Sequence, residues 1–501
     1  MPDVLAAIDQ GTTGTRCFLF DLAGRVISSA YREHRQIFPA PGWVEHDAVE
    51  IRDNVDRVVA EALAGAPGCC VLGIGVTNQR ETVVAWDAAT GEPIANAIVW
   101  QDTRTDRDCR ELIESGIEER VRARTGLPIR TYFSATKMRW ILAEVADAER
   151  LAGLGRLRLG TIDAWVIWNL TGGSSGGAHV TDPTNASRTL LCALDTLEWD
   201  PELIDRFAVP VGALPRIRPS IPPEPYGWTS PSGVFGARVP VCGDLGDQQA
   251  ALFGQACFAP GEAKNTYGTG SFLLQHTGDS PVASRFGLLT TAAGAPTGVR
   301  AYALEGSAAV TGSAVQWLRD GLGMIASAAE TEPLAQSVPD TGGVYFVPAF
   351  SGLFAPHWDM SARGTIVGLT RFATRAHLVR ATLEAIAFQS REVLEAMLAD
   401  TGRAPSELKV DGGATSNNFL MQLQADVLGV PVVRPAMLET TALGAAQAAG
   451  LAIGVYGAVS DLSRLWKPDR LFEPEWTADR REEAYRGWKR AVERSRGWME
   501  T

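Results

Sequence analysis

At 501 residues the chain is too long for one ordinary hydrophobic core, so two or more domains are expected. Its 46% hydrophobic and 21% charged residues suit a globular protein, and a formal net charge of −12 argues against a sequence-independent grip on nucleic acid or anionic membrane. Seven cysteines without a Cys-x-x-Cys pair read as reduced structural thiols, with adjacent Cys69 and Cys70 as small packing residues. No apolar run is long enough to span a bilayer, and no basic-then-apolar leader opens the chain, which predicts a cytoplasmic protein without membrane insertion.

The opening reads as strands at Val4–Ile8, Arg16–Asp21 and Val26–Tyr31. Between the first two lies Gly11-Thr12-Thr13-Gly14, preceded by the lone carboxylate Asp9. A plain hairpin accounts for this turn, but so does a phosphate grip: glycines let backbone N–H groups close on an anion, and threonine hydroxyls add donors. A helix follows from Asp47 to Ala64, with Val49, Val55, Val58, Val59 and Leu63 roughly on one face. Strands return at Val71–Thr77, Thr82–Trp86 and Ala97–Trp100, then helical patterns at Thr105–Ser115 and Thr136–Ala146. This alternation indicates a mixed α/β domain.

Residues Pro210 to Pro240 are rich in proline and glycine and read as an extended connection. Beyond them the opening pattern returns: "KNTYGTGSFLLQHT" is again strand, Gly-Thr-Gly turn and strand. Two related halves, 1–250 and 251–501, are therefore expected to face each other across a cleft. A third glycine turn, "VDGGATSNNF", leaves a strand at Leu408–Val410 and enters a helix near Ser416, and helices close the chain at Thr441–Ile453 and Thr477–Trp498.

Three polar stretches end or interrupt strands in the first half. "GVTNQRET" carries Arg80 and Glu81; adjacent strand residues point to opposite faces, so both reach one ligand only past the strand end. The bland alternative is an exposed ion pair. "AIVWQDTR" ends a strand at Trp100. "VCGDLGDQQAALFG" interleaves Asp244 and Asp247 with glycines before a helical run begun by Gln248; Asp247 is placed either to cap that helix or to project into the cleft. There is no GxxxxGK[ST] phosphate loop, the GxSxG-like "GGSSG" lacks a strand leading into it, and the six histidines show no ligand spacing.

Taken in order, AIDQGTTGTR, PGWVEHD, GVTNQRET, AIVWQDTR, YFSATKMRWIL, VTDPTNASRTLL, GDQQAALFGQ, KNTYGTGSF, YALEGS, GSAVQWLRD, VDGGATSNNFLMQ and TALGAA resemble the FGGY carbohydrate kinases, and within them those that phosphorylate glycerol. The resemblance runs through nearly the whole chain. It implies two actin-like (ribonuclease H-like) α/β domains, with the γ-phosphate of Mg-ATP passing to glycerol to give sn-glycerol 3-phosphate. It implies that Thr12, Thr13, Gly14 and Arg16 meet the phosphates, joined from the opposite domain by Thr269 and Gly270. Gly312, Gln316, Gly413 and Asn417 match nucleotide-binding positions. Arg80, Glu81, Tyr132, Asp247 and Gln248 match the glycerol site, walled by Trp100 and Phe272. Asp247 is the implied catalytic base, and Asp9 with Asp247 the implied magnesium carboxylates. Relatives form homodimers or homotetramers, so the same is expected here.

Two rival readings have discriminating features. A relative acting on erythritol, xylulose or ribulose needs a larger pocket than the Arg80-Glu81, Trp100 and Tyr132 match implies. A non-catalytic ATP-dependent switch has no use for both Asp9 and Asp247.

Overall fold

The computed structural model describes residues 2–499. Two twisted sheets, built on one plan, organise it. In the first, the strand Asp3–Gln10 sits between Gly14–Asp21, antiparallel, and Cys70–Asn78, parallel. Val26–Glu33 extends the antiparallel side, and Pro240–Gly246 the parallel side. In the second, Ala263–Tyr267 takes the central place, with Ser271–Gly278 and Tyr302–Ala308 antiparallel on one side. Leu408–Asp411 and Val432–Pro435 follow in parallel on the other. Three antiparallel strands followed by two parallel ones, in the same order, is the duplicated ribonuclease H-like arrangement.

The local sequence explains these places. Asp3–Gln10 is buried along almost its whole length, as a strand covered on both faces must be, whereas Val26–Glu33 is polar and largely exposed at the sheet edge. After each set of antiparallel strands comes a helix that covers a face of the sheet. In the first half it is Ala48–Ala64, begun by Asp47, whose side chain accepts from the N–H groups of Val49 (2.9 Å) and Glu50 (3.2 Å). In the second it is the long, mostly buried Arg375–Thr401.

The halves are not independent blocks. The helix Thr440–Ala452, late in the chain, packs onto the first sheet, its alanines sharing a core with Leu5, Ala7, Leu245 and Phe253. The approach is backbone to backbone. A Cβ on Gly75 would run into the carbonyl oxygen of Ala445, and one on Gly444 into that of Ala250.

Inserted in the first half is a smaller four-stranded sheet, ordered Glu45–His46, Ala97–Ile98, Val83–Asp87, Leu157–Thr161. Its strand Ala97–Ile98 stops two residues before Trp100, which lies in the turn beyond. Cys69 is half-buried and Cys70 is exposed at the start of its strand, so Cys70 is not the packing residue expected: the chain is still emerging from a turn there and has no layer over it.

Candidate active site

Asn78 ends its strand, and the chain turns sharply through Arg80 and Glu81. Glu81 adopts φ +62°, a left-handed backbone that costs a non-glycine residue about 1–2 kcal/mol. This turn frees the two neighbouring side chains from the strand's alternation. Both are buried, Arg80 3% and Glu81 1% exposed, which corrects the alternative of a solvated surface pair. Each finds its counter-charge on a distant segment. Arg80 grips Glu305 of the second sheet through Nη1–Oε2 (2.5 Å) and Nη2–Oε1 (3.1 Å), and its Nε stands 3.2 Å from Asp247 Oδ1. Glu81 accepts from Arg188 Nε at 2.6 Å, and Arg188 Nη2 donates to Glu305 Oε1 at 3.0 Å.

Arg188 and Glu305 are central to this network, yet sequence reasoning gave them no role. Both lie inside motifs noted above, "VTDPTNASRTLL" and "YALEGS". The available signal was a charged residue in an otherwise apolar or small-residue context. Burial opposes ionisation of Glu305, but Arg188 and Arg80 outweigh it and bring its carboxyl down to about 2. Burial prevails at Glu81, raising its proton affinity against the pull of Arg188 and Arg80.

Asp247 opens the helix Asp247–Gly254, and its Oδ1 accepts from the N–H of Gln248 at 2.7 Å. It is not the cap the sequence allowed: Gly246 holds the N-cap position, no side chain caps this helix, and Asp247 is its first helical residue, 29% exposed beside Arg80. Burial raises its proton affinity, opposed by Arg80 and Lys264. Gln248 is buried and accepts at Oε1 from Lys264 Nζ (2.6 Å), which also donates to the carbonyl of Phe272 (3.3 Å). Lys264 thereby ties the half-buried Phe272 to this corner, and its own burial brings it down to about 8. Trp100 and Tyr132 stand edge to face at 5.4 Å, and the Arg188 guanidinium lies 5.7 Å from the Tyr132 ring. Charged donors and acceptors therefore meet aromatic faces in one place, the combination a small polyol requires.

The first hairpin is closed by Gly11 N–H to Gly14 O at 3.0 Å, leaving Thr12 half-buried and Thr13 exposed at its tip. Gly14 is required sterically: a Cβ there would strike the Tyr31 ring and sit 2.6 Å from the carbonyl of Arg32. Asp9, on the adjoining strand, is raised to about 6 by burial, with Asp247 and Glu439 adding to the rise and Arg16 opposing it. Arg16 lies 3.7 Å from Asp9 Oδ2 and 3.5 Å from Glu439 Oε2, the latter another residue missed from the sequence.

In the second half, Thr269 heads a matching exposed hairpin, its carbonyl accepting from the N–H groups of Thr311 and Ser313 (3.0 Å each). Gly312 N–H donates to Gly268 O at 3.1 Å, and a Cβ on Gly270 would lie 2.6 Å from Ala308 O. The short helix Gly312–Gln316 thus starts against this hairpin and ends at exposed Gln316. Gly413 is exposed at the start of a tight turn that abuts Tyr267 through Gly412. Asn417 spends its side chain on structure, its Oδ1 accepting from Leu420 N (2.9 Å) and its Nδ2 donating to Thr331 (3.1 Å).

Among the described residues no cluster of three or more His, Cys, Asp or Glu side chains is arranged to hold a metal ion. The chain offers instead Asp9, whose proton affinity the nearby charge of Asp247 raises. So sparse a donor set suits Mg²⁺, which keeps several waters and takes the rest of its ligands from phosphates.

The duplicated fold, with a glycine-threonine hairpin in each half and a charged cluster flanked by aromatic rings where Arg80 meets Glu305, is that of the actin-like ATPases that act as sugar kinases. The model for the "FGGY family of carbohydrate kinases, N-terminal domain" matches residues 4–254, and that for its C-terminal domain residues 263–453. The chain belongs to the FGGY family of carbohydrate kinases. It is 57% identical to a glycerol kinase from Saccharopolyspora erythraea across the full length of both chains. It is 55% identical to one from Mycobacterium tuberculosis, covering 99% of this chain and 97% of that one. Among solved structures it resembles "Plasmodium falciparum glycerol kinase with ADP", with a TM-score of 0.93 and 37% identity over 99% of this chain and 98% of that one. Xylulose kinase from Lactobacillus acidophilus, at 23% identity and a TM-score of 0.85 over 98% of this chain and 97% of that one, shares the fold.

Proposed function

We propose that this chain catalyses the ATP-dependent phosphorylation of glycerol. The observation that carries this reading is full-length identity of 55–57% to glycerol kinases, combined with the convergence of Arg80, Glu81 and Asp247 beside the Trp100–Tyr132 pair. Glycerol is a small uncharged triol. Arg80 donates to its hydroxyls, Glu81 and Asp247 accept, and the aromatic faces of Trp100, Tyr132 and Phe272 cover the C–H side. A buried hydrogen bond to a charged group contributes about 1.5–3 kcal/mol, enough to reject analogues lacking a hydroxyl.

Asp247 holds the attacking hydroxyl and receives its proton. In the loose transition state of phosphoryl transfer that proton leaves late, so orientation by Asp247 counts for more than its basicity. Thr12, Thr13 and Gly14 from one half and Thr269 and Gly270 from the other donate to the phosphates, and Gly312, Gln316, Gly413 and Asn417 line the way to the nucleoside. Mg²⁺, when bound beside Asp9 and Asp247, supplies positive charge to the transferring phosphoryl group. Closure of the two halves excludes water, the competing phosphoryl acceptor.

Among the described residues no helix is long and apolar enough to cross a membrane. The deciding measurement is coupled ADP release across glycerol, dihydroxyacetone, erythritol, xylulose and ribulose. Glycerol gives the highest kcat/KM, with dihydroxyacetone weaker; a tetritol or pentulose ranking first refutes the assignment.

A further inference from the structure

Trp100 also touches the first phosphate hairpin. Its indole Nε1 lies 3.0 Å from Thr12 Oγ1. An indole N–H is only a donor, so the Thr12 oxygen must accept, and the single hydroxyl hydrogen of Thr12 is left to point elsewhere. The contact is one link in a closed circuit. The backbone N–H of Trp100 donates to Thr82 Oγ1 (3.2 Å), and Thr82 donates to Gln79 Oε1 (3.0 Å). The Gln79 amide nitrogen has two hydrogens, placed on Gly11 O (3.3 Å) and His46 Nδ1 (3.2 Å). With Nδ1 accepting, the His46 proton sits on Nε2 and is donated to Gln36 Oε1 at 2.9 Å. Gln36 Nε2 closes the ring on the carbonyl of Thr12 at 3.0 Å. His46 is fully buried, and burial with its neighbour His34 holds it neutral by taking its pKa down to about 3.

Every donor in the circuit except the Thr12 hydroxyl has an acceptor, and only one direction of donation satisfies the others. We propose that Trp100 acts on the nucleotide as well as on the polyol, by turning the Thr12 hydroxyl hydrogen toward the ATP phosphates. Gln79, His46 and Gln36 are the positioning residues that hold the carbonyls of Gly11 and Thr12 from behind. The aromatic wall of the acceptor site and the first phosphate hairpin are then one hydrogen-bonded unit, so loss of the indole N–H weakens nucleotide binding even with no polyol present. This inference rests on the kinase reading above.

The test is calorimetric titration of the full-length protein with a non-hydrolysable ATP analogue and Mg²⁺, without polyol. Trp100→Phe keeps an aromatic ring in the wall while removing the N–H donor together with part of the indole's bulk; it weakens the analogue about three- to tenfold, the effect of one hydrogen bond. Thr12→Val has a similar effect, and the double variant is no weaker than Thr12→Val alone, because both remove one interaction. Gln36→Leu, cut from the far side of the ring, weakens the analogue while leaving the KM for glycerol unchanged, a split that general loosening of the fold does not produce. Analogue affinity within twofold of wild type in Trp100→Phe, or additive losses in the double variant, overturns the proposal. Should Trp100→Phe not fold, unchanged analogue affinity in Gln36→Leu overturns it equally. A wild type that prefers another polyol defeats the glycerol assignment instead, and the polyol-free titration still stands.

Discussion

Replacing Glu305 by glutamine preserves shape and removes one negative charge from between two guanidiniums. In the native protein Glu305 is 1% exposed and bonded to Arg80 at 2.5 and 3.1 Å and to Arg188 at 3.0 Å. Breaking one partner of a buried ion pair costs about 3–5 kcal/mol, because the remaining charge stays buried without compensation. The depressed carboxyl leads to the same order: held at about 2 rather than 4.5, it corresponds to about 3 kcal/mol at neutral pH. At about 1–2 °C per kcal/mol for a cooperative unit of this size, the ligand-free melt should fall by about 3–10 °C. Arg80 would also lose the anchor that aims it at the polyol. Weakening one charge-assisted hydrogen bond of about 1.5–3 kcal/mol lowers kcat/KM for glycerol roughly 10- to 150-fold. Scanning calorimetry and coupled ADP release on one preparation measure both effects. The pH dependence adds a signed check. Because the folded-state pKa is depressed, the stabilisation is complete above pH 4.5 and is lost as pH falls toward 2, so the gap between wild type and Glu305→Gln must narrow over that interval. A variant melting within 2 °C of wild type with unchanged glycerol kinetics would falsify the account of Glu305 as the anchor of both arginines.

Two further substitutions probe the chemistry and the scaffold. Asp247→Asn is expected to lower kcat by roughly 10²–10⁴-fold with little change in nucleotide affinity; a near-normal kcat in a folded variant removes Asp247 from the reaction and leaves it only as a neighbour of Arg80. Gly75→Ala forces the first sheet and the helix Thr440–Ala452 apart, since the added methyl meets the Ala445 backbone and not a movable side chain. A loss of about 1–3 kcal/mol or more is expected in a denaturant melt, and a native midpoint would show that this contact is looser than the geometry describes.

The sequence alone determined much about this protein, because local signals carry it. Buried runs such as Val4–Ile8, the Asp47 cap and the glycine-threonine turns report their own neighbourhoods, and their order along the chain points to two related halves and to a family. Arg80, Glu81 and Asp247 were legible as candidates for the same reason: each interrupts or ends an apolar stretch. What the tertiary structure alone decided is who pairs with whom. Adjacent Arg80 and Glu81 read as partners in one dimension, yet Arg80 pairs with Glu305, 225 residues away, and Glu81 with Arg188, 107 residues away. The left-handed turn at Glu81, the packing of Thr440–Ala452 on the first sheet and the ring from Trp100 to Thr12 are likewise invisible in any local window. Periodicity encodes which face of an element is buried; counter-charges and hydrogen-bond directions are settled only when distant segments meet in a space that excludes water, where leaving a charge or a donor unpaired is costly.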